Sequence, residues 1–273
     1  MSTFKKIMPI GAVAALDPLQ NFETVTYTGN GGTQKITGYI RKGGAFNGSS
    51  SYISGLPTVK NTTGGFSISL WFNTTVNPSV QHTMLGGIKE QGSNDSVVAL
   101  KMTSDGYSKL YVRGTDGTLH ILADTVDATD GNWHHLVGTV NGSNAVLYVD
   151  GSQVDTATIS NNVTVDNLLI GAENNRATLN PTNYFNGKID QVRIFDKALS
   201  QSEVDTLNAE TYASSTKSTT DIFGDGSGIA LYELDEDAND TGGVSGYIGA
   251  GGIFDGSSSY ITTPSFFSNP NTF

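Results

Sequence analysis

The sequence predicts an all-β fold, an antiparallel β-sandwich, and three observations carry that expectation. Apolar residues alternate with small or polar ones in segment after segment, the period at which strand side chains point to opposite faces. The segments are separated by Asn-Gly and Asp-Gly pairs, which reach the positive φ angles that two-residue hairpin turns need. Composition agrees, because 33 of the 273 residues are glycine and only 15% are charged, a balance that suits many short strands and few helices.

The organising stretch is GFSISLWF, Gly65 to Phe72, with Phe66, Ile68, Leu70 and Phe72 on one face and Ser67, Ser69 and Trp71 on the other. Before it, NFETVTY at 21–27 alternates, TGNGG at 28–32 turns and 34–41 alternates again, so a hairpin is expected there. After it, strands are expected at 84–88, 96–102, 109–112 and 118–122, with turns at Ser104-Asp105-Gly106 and Thr115-Asp116-Gly117. NWHHLVGTV at 132–140 and the hairpin VLYVDGSQV at 146–154 follow, and FNGKIDQVRIF at 185–195 closes the set. One short helix is expected over Gln201 to Ala209. Ser200 and Glu203 form a capping box at its start, and Val204 and Leu207 lie on its buried side.

The octapeptide FNGSSSYI at 46–53 returns as FDGSSSYI at 254–261, and Tyr39-Ile40 returns as Tyr247-Ile248. Subtracting 46 from 254 and 39 from 247 gives the same offset, 208, which is the size of a whole sandwich. The chain is therefore divided into an N-terminal anchoring arm (1–20), a sandwich (21–210), a small, polar linker (211–228) and the beginning of a second, incomplete copy (229–273). A piece as short as the last buries too little apolar surface to stand alone. It implies either a longer tandem polypeptide, the favoured reading, or completion on another subunit.

Taken in order, the tryptophan strand, the WHH strand with its hairpin and the closing strand resemble the laminin-G-like, concanavalin A-like family of jelly-roll domains. The stretch NFETVTYTGNGGTQKITG at 21–38 is similar to an opening common in structural proteins of marine tailed phages. The first resemblance implies extracellular or virion-surface recognition. Together they imply a phage virion component, in a tail fibre, tail or capsid surface, held to other virion proteins by its arm, forming a homo-oligomer and meeting a host-surface glycan. The alternative is a secreted or cell-surface bacterial carbohydrate-binding or adhesin module, because Lys5 and Lys6 precede an apolar run from Ile7 to Leu16. A net charge of -11 argues against nucleic acid, and no stretch reaches the ~20 apolar residues of a membrane span. The absence of cysteine removes disulfides and thiolate metal sites.

No enzyme is expected. Retaining glycosidases of this fold space acids along one strand, and only Glu233, Asp235 and Asp237 approach that pattern, in the incomplete copy. His134 and His135 point to opposite faces of their strand and cannot chelate one metal side by side. For sugars, exposed aromatic faces and short polar groups matter, which singles out Trp71 and the loop residues Asn174, Asn175, Arg176 and Tyr184. The family resemblance further implies a structural calcium ion between Asn47 and Asp190. The alternative for Asp190 is a turn cap or a pair with Lys188 or Arg193.

Overall fold

The computed structural model describes residues 26–28, 36–37, 39 and 42–234, apart from 62–63, 89–95, 115, 160–162, 176–177, 179 and 211–219. The strands begin with Thr26–Thr28 (β1), Ile36–Thr37 (β2), Lys42–Asn47 (β3), Tyr52–Ser54 (β4), Val59–Lys60 (β5), Phe66–Asn73 (β6) and His82–Ile88 (β7). They continue with Val97–Met102 (β8), Tyr107–Arg113 (β9), Leu119–Asp127 (β10), Trp133–Asn141 (β11), Asn144–Val149 (β12) and Ser152–Thr158 (β13). Thr164–Val165 (β14), Leu169–Ile170 (β15), Glu173–Asn174 (β16), Pro181–Thr182 (β17) and Asn186–Phe195 (β18) come next. The helix Gln201–Asn208 (α1) and the strand Gly228–Tyr232 (β19) complete the set.

All the named strands pair antiparallel, and they build two main sheets. One has seven strands in the order β1-β4-β15-β7-β8-β9-β10; the other has eight, β13-β12-β11-β6-β18-β3-β2, with β19 also on β18. The core lies between them: Phe66, Ile68, Leu70 and Phe72 of β6 pack in one cluster with Leu85, Val98, Leu100, Leu110 and Val112 of the other sheet. Each such burial contributes about 1.5–3 kcal/mol, which is why the alternation of GFSISLWF sets the orientation of its strand. β6 sits between β11 and β18, with Leu70 opposite Leu136 and Trp71 opposite both His135 and Asp190. Gly65 enters this strand at φ +78, and a Cβ there would stand 2.0 Å from the carbonyl oxygen of Val140. Only glycine fits.

The turns match their chemistry. Asp150 and Gly151 have φ 50 and 82, the two positive values of a type I′ turn, and join β12 to β13. The helix starts as expected, with the Ser200 N–H donating to Glu203 Oε2 at 2.8 Å, and buries Val204 and Leu207.

Two expectations change. The hairpin over 21–41 is not formed by the described strands: β1 pairs with β4 in the seven-stranded sheet, whereas β2 pairs with β3 in the other. Local alternation is the same for either partner, so which sheet accepts a strand depends on tertiary contacts. The end of the chain differs too. Within 211–228, assigned to a linker, Ile222 and Phe223 pack against Phe195, Leu199, Val204 and Leu207, and Thr220 and Ser227 are buried. Within 229–273, assigned to a second copy, residues 229–234 lie in the first sandwich. Val192 is opposite Tyr232 and Ile194 opposite Ala230, while Tyr232 and Leu234 join the main core. The rest of that assignment, 235–273, and the arm 1–20 lie outside the described residues.

Candidate binding surface

Each sheet has an outer face, and the two are treated differently. On the eight-stranded sheet that face is covered. Trp71 is 6% exposed, stacked between Tyr39, whose ring centre is 3.4 Å away at 10°, and His135, at 4.9 Å and 24°. It is thus removed from the set of open aromatic platforms, because both faces of its indole are occupied. Beside it the Ser69 hydroxyl bonds His135 Nε2 at 2.8 Å, and Arg193 Nη2 donates to both carboxylate oxygens of Glu210 at 2.8 and 2.9 Å. The helix and residues 220–227 cover the rest with an apolar patch on Val137, Val146, Tyr148 and Phe195.

The two histidines divide as their register dictates, His134 opposite Phe72 and His135 opposite Trp71. Burial pushes the His135 imidazole down to about 3, against the attraction of Asp150. Its Nδ1 has no hydrogen-bond partner. An imidazolium, which needs acceptors for two N–H groups, is therefore excluded by geometry as well as by burial. His134 goes the other way, to about 9, chiefly through the hydrogen bond to Asp150 Oδ2 at 2.8 Å, helped by Asp130 at 3.1 Å and opposed by burial.

The outer face of the seven-stranded sheet carries polar chemistry. Lys101 alternates with the core residues Leu100 and Met102 and so points away from the core, where its ammonium meets Glu173 Oε1 at 2.6 Å and Gln81 Oε1 at 3.1 Å. Asn183 Nδ2 donates to the same Glu173 oxygen at 2.5 Å. These bonds pin Glu173 and Asn183 onto the sheet. Next to them opens a cleft of about 310 Å³, with Leu56, Leu168 and Leu169 as its apolar lining and Ser54, Thr58, Asp166, Asn167 and Asn174 as its polar lining. Tyr52 also lines it, and the Tyr184 ring lies 6.3 Å from that of Tyr52 at 50°.

Of the loop residues singled out from sequence, Asn174 lines this cleft, its Nδ2 donating to the Asn167 carbonyl at 3.0 Å, and Tyr184 stands beside Tyr52. Asn175 is exposed and closes its loop through a backbone bond to the Asn180 carbonyl at 2.8 Å. Arg176 lies outside the described residues. Tyr52, Ser54 and Asp166 were missed, although Tyr52 carried a signal: it is the tyrosine of FNGSSSYI, repeated as Tyr260. Strand alternation places it outside, since its neighbour Ile53 is in the core.

Asn47 and Asp190 are not brought together. Asn47 is opposite Asn186, four positions along β18 from Asp190. That is about 13 Å at the rise of a strand, whereas oxygens sharing a calcium ion lie within about 5 Å of each other. Asn47 Oδ1 instead accepts from the N–H groups of Ser49, Ser50 and Ser51 at 3.0, 2.9 and 3.1 Å, and Asp190 is fully buried with Oδ1 accepting from the Gln191 N–H at 2.7 Å. This pair does not fit the ion, and among the described residues no group of three or more His, Asp or Glu side chains has the geometry of a metal site. Glu233 is fully buried in the first sandwich; Asp235 and Asp237 lie outside the described residues. Among the described residues no helix is long and apolar enough to cross a membrane.

The sandwich and its covered and open faces define a jelly-roll domain of lectin-like architecture. The laminin G family model described as the concanavalin A-like lectin/glucanases superfamily matches residues 47–205, more than half of the chain, and the protein belongs to that family. Among solved structures it is similar to the binding domain of Paraclostridial Mosquitocidal Protein 1, with TM-score 0.54 and 17% identity over 73% of this chain and 52% of that one, about half its length. It is also similar to a heptameric SAP-like pentraxin from Limulus polyphemus, with TM-score 0.49, 14% identity and coverage of 60% and 80%. A third similar structure is domain 4 of AbnA, an extracellular arabinanase from Geobacillus stearothermophilus, with TM-score 0.48, 22% identity and coverage of 68% and 81%. At these identities the likeness is one of fold. No curated protein matches the sequence.

Proposed function

We propose that this protein is a non-enzymatic glycan-binding module displayed on a phage virion, in a tail fibre, tail or capsid surface. The observation that carries the binding reading is the cleft beside Tyr52. A sugar offers CH faces to an aromatic ring and hydroxyls to short polar side chains, and here a tyrosine, a carboxylate and an amide converge over leucines. The Lys101–Glu173 pair holds one wall in place before any ligand arrives, which lowers the ordering cost of binding. Membership of a lectin/glucanases superfamily supports the same reading. The virion context rests on the similarity of residues 21–38 to phage structural proteins, with the arm 1–20 docking on other virion proteins.

The binding reading is tested by screening the full-length protein on a glycan array and titrating the best ligand by calorimetry. Tyr52→Ala and Asn174→Ala are expected to weaken affinity at least tenfold, about 1.4 kcal/mol, while Trp71→Phe leaves it unchanged. A silent array, or affinity indifferent to both cleft substitutions in folded protein, overturns it. The context is tested by mass spectrometry of purified virions. The chain is expected there with Met1 retained; recovery from culture medium, starting near Leu16, favours the secreted adhesin.

A further inference from the structure

Lys101, Glu173 and Asn183 meet at one atom. Glu173 Oε1 accepts from Lys101 Nζ at 2.6 Å and from Asn183 Nδ2 at 2.5 Å, so the amine and the amide nitrogen lie within about 5 Å of each other. The fold assembles this meeting from three places in the chain. Lys101 is on β8 opposite Thr83 of β7, and the Thr83 N–H donates to the Asn183 carbonyl at 2.8 Å, which fixes the Asn183 backbone close to the lysine. Asn183 is held there in a left-handed conformation, φ 51. A Cβ on Gly86 would stand 3.1 Å from the Glu173 Cβ, so glycine leaves the room in which Glu173 lies over the sheet. Lys101 and Glu173 are 4% and 7% exposed, and the Tyr111 ring centre is 4.6 Å from the ammonium. A primary amine and a carboxamide, with a buried carboxylate touching both nitrogens, are the parts that an amide exchange needs.

We propose that Lys101 and Asn183 join in an intramolecular isopeptide bond, with Glu173 as the proton-transfer group. Moving a proton along the hydrogen bond from Nζ to Oε1 turns the ion pair into a neutral amine and a neutral acid, and burial favours that exchange because it has already taken most of the water from both groups. The amine then attacks Cγ of Asn183, toward which the flexible four-carbon stem of lysine can swing it. The Nζ–Cγ bond forms and the Cγ–Nδ2 bond breaks. Glu173 passes its proton to Nδ2, the nitrogen it already touches, and ammonia leaves; the second proton lost by Nζ returns to Glu173. Nothing is oxidised or reduced, and no co-reactant is consumed. Thr83 shares the outer face with Lys101, and its buried hydroxyl, which has no hydrogen-bond partner, is a donor available for the charge that develops on Asn183 Oδ1. The product ties β8 to the turn before β18 in a chain whose lack of cysteine leaves it no disulfide for that purpose.

The test is mass spectrometry of the full-length protein, folded and kept for several days at neutral pH. The intact mass is compared with the sequence mass, with or without Met1, and the digested protein is mapped. The expected mass is lower by one ammonia, and the expected map holds a branched peptide joining Lys101 to Asn183. Glu173→Gln and Lys101→Met, checked for folding by circular dichroism, are expected to keep their full masses. Folded wild-type protein at its full sequence mass overturns the proposal, and that result needs no variant. So does an ammonia loss mapped only to a succinimide, for which Asn186-Gly187 offers a site, because that reaction joins an asparagine to its own backbone and leaves Lys101 free. A branched peptide that forms undiminished in folded Glu173→Gln overturns the part assigned to Glu173.

Discussion

His135 makes stability depend on pH in a way that can be worked through. Its folded-state pKa is depressed to about 3 by burial, whereas an unfolded imidazole titrates near ~6.5. Below 6.5 the unfolded chain takes up a proton that the folded chain refuses, so stability is present above 6.5 and is lost as pH falls toward 3. The slope approaches about 1.36 kcal/mol per pH unit, and integration from pH 7 to pH 5 gives a loss of about 2 kcal/mol from this residue alone. His135→Gln keeps an amide near the Nε2 position that meets the Ser69 hydroxyl and removes the titration. The assay is urea unfolding at pH 5, 6, 7 and 8, followed by tryptophan fluorescence, to which Trp71, whose ring stacks on His135 at 4.9 Å, and Trp133 both contribute. The variant is less stable than the wild type at pH 8, where the lost stacking dominates, and the gap narrows by about 2 kcal/mol on going from pH 7 to pH 5. A gap constant across that range, or one that widens in acid, refutes the reasoning, as would an NMR titration placing His135 near 6.5 in the folded protein.

His134 has the opposite sign: with its pKa raised to about 9 by Asp150 and Asp130, it stabilises fully below 6.5 and loses that contribution as pH rises through 9, so the stability gap to His134→Gln shrinks between pH 7 and 9.5 in the same assay. Glu210→Gln removes the carboxylate charge that accepts twice from Arg193 Nη2 and is expected to cost about 1–3 kcal/mol by urea midpoint; an unchanged midpoint contradicts a stabilising role for that contact. Gly65→Ala forces a Cβ to 2.0 Å from the Val140 carbonyl in a left-handed conformation, and the expected loss exceeds about 1 kcal/mol, read as a fall in Tm; an unchanged Tm contradicts the close approach of β6 to β11.

Much of this fold is legible in the residues because its rules are local. Alternation in GFSISLWF assigns four side chains to the core, a positive-φ dipeptide at 150–151 sets a hairpin, and Ser200 with Glu203 starts the helix where a capping box should. His134 and His135 separate to opposite faces for the same reason. Each of these outcomes depends on backbone geometry within a few residues.

The partners of each face needed the folded chain. Alternation puts Trp71 opposite the core face but cannot say whether Tyr39, a ligand or water lies over it, and here Tyr39 does. The cleft joins β4, the stretch around Asp166 and the loop at Asn174, segments whose proximity follows from β15 pairing with both β4 and β7. The separation of Asn47 from Asp190 is likewise a matter of register along β18. The clearest case is Gly228–Tyr232. Its repeat register speaks for one sandwich and its pairing for another, because a strand's own residues encode an alternating face, whereas the edge that receives it is chosen by which exposed backbone and apolar strip lie within reach.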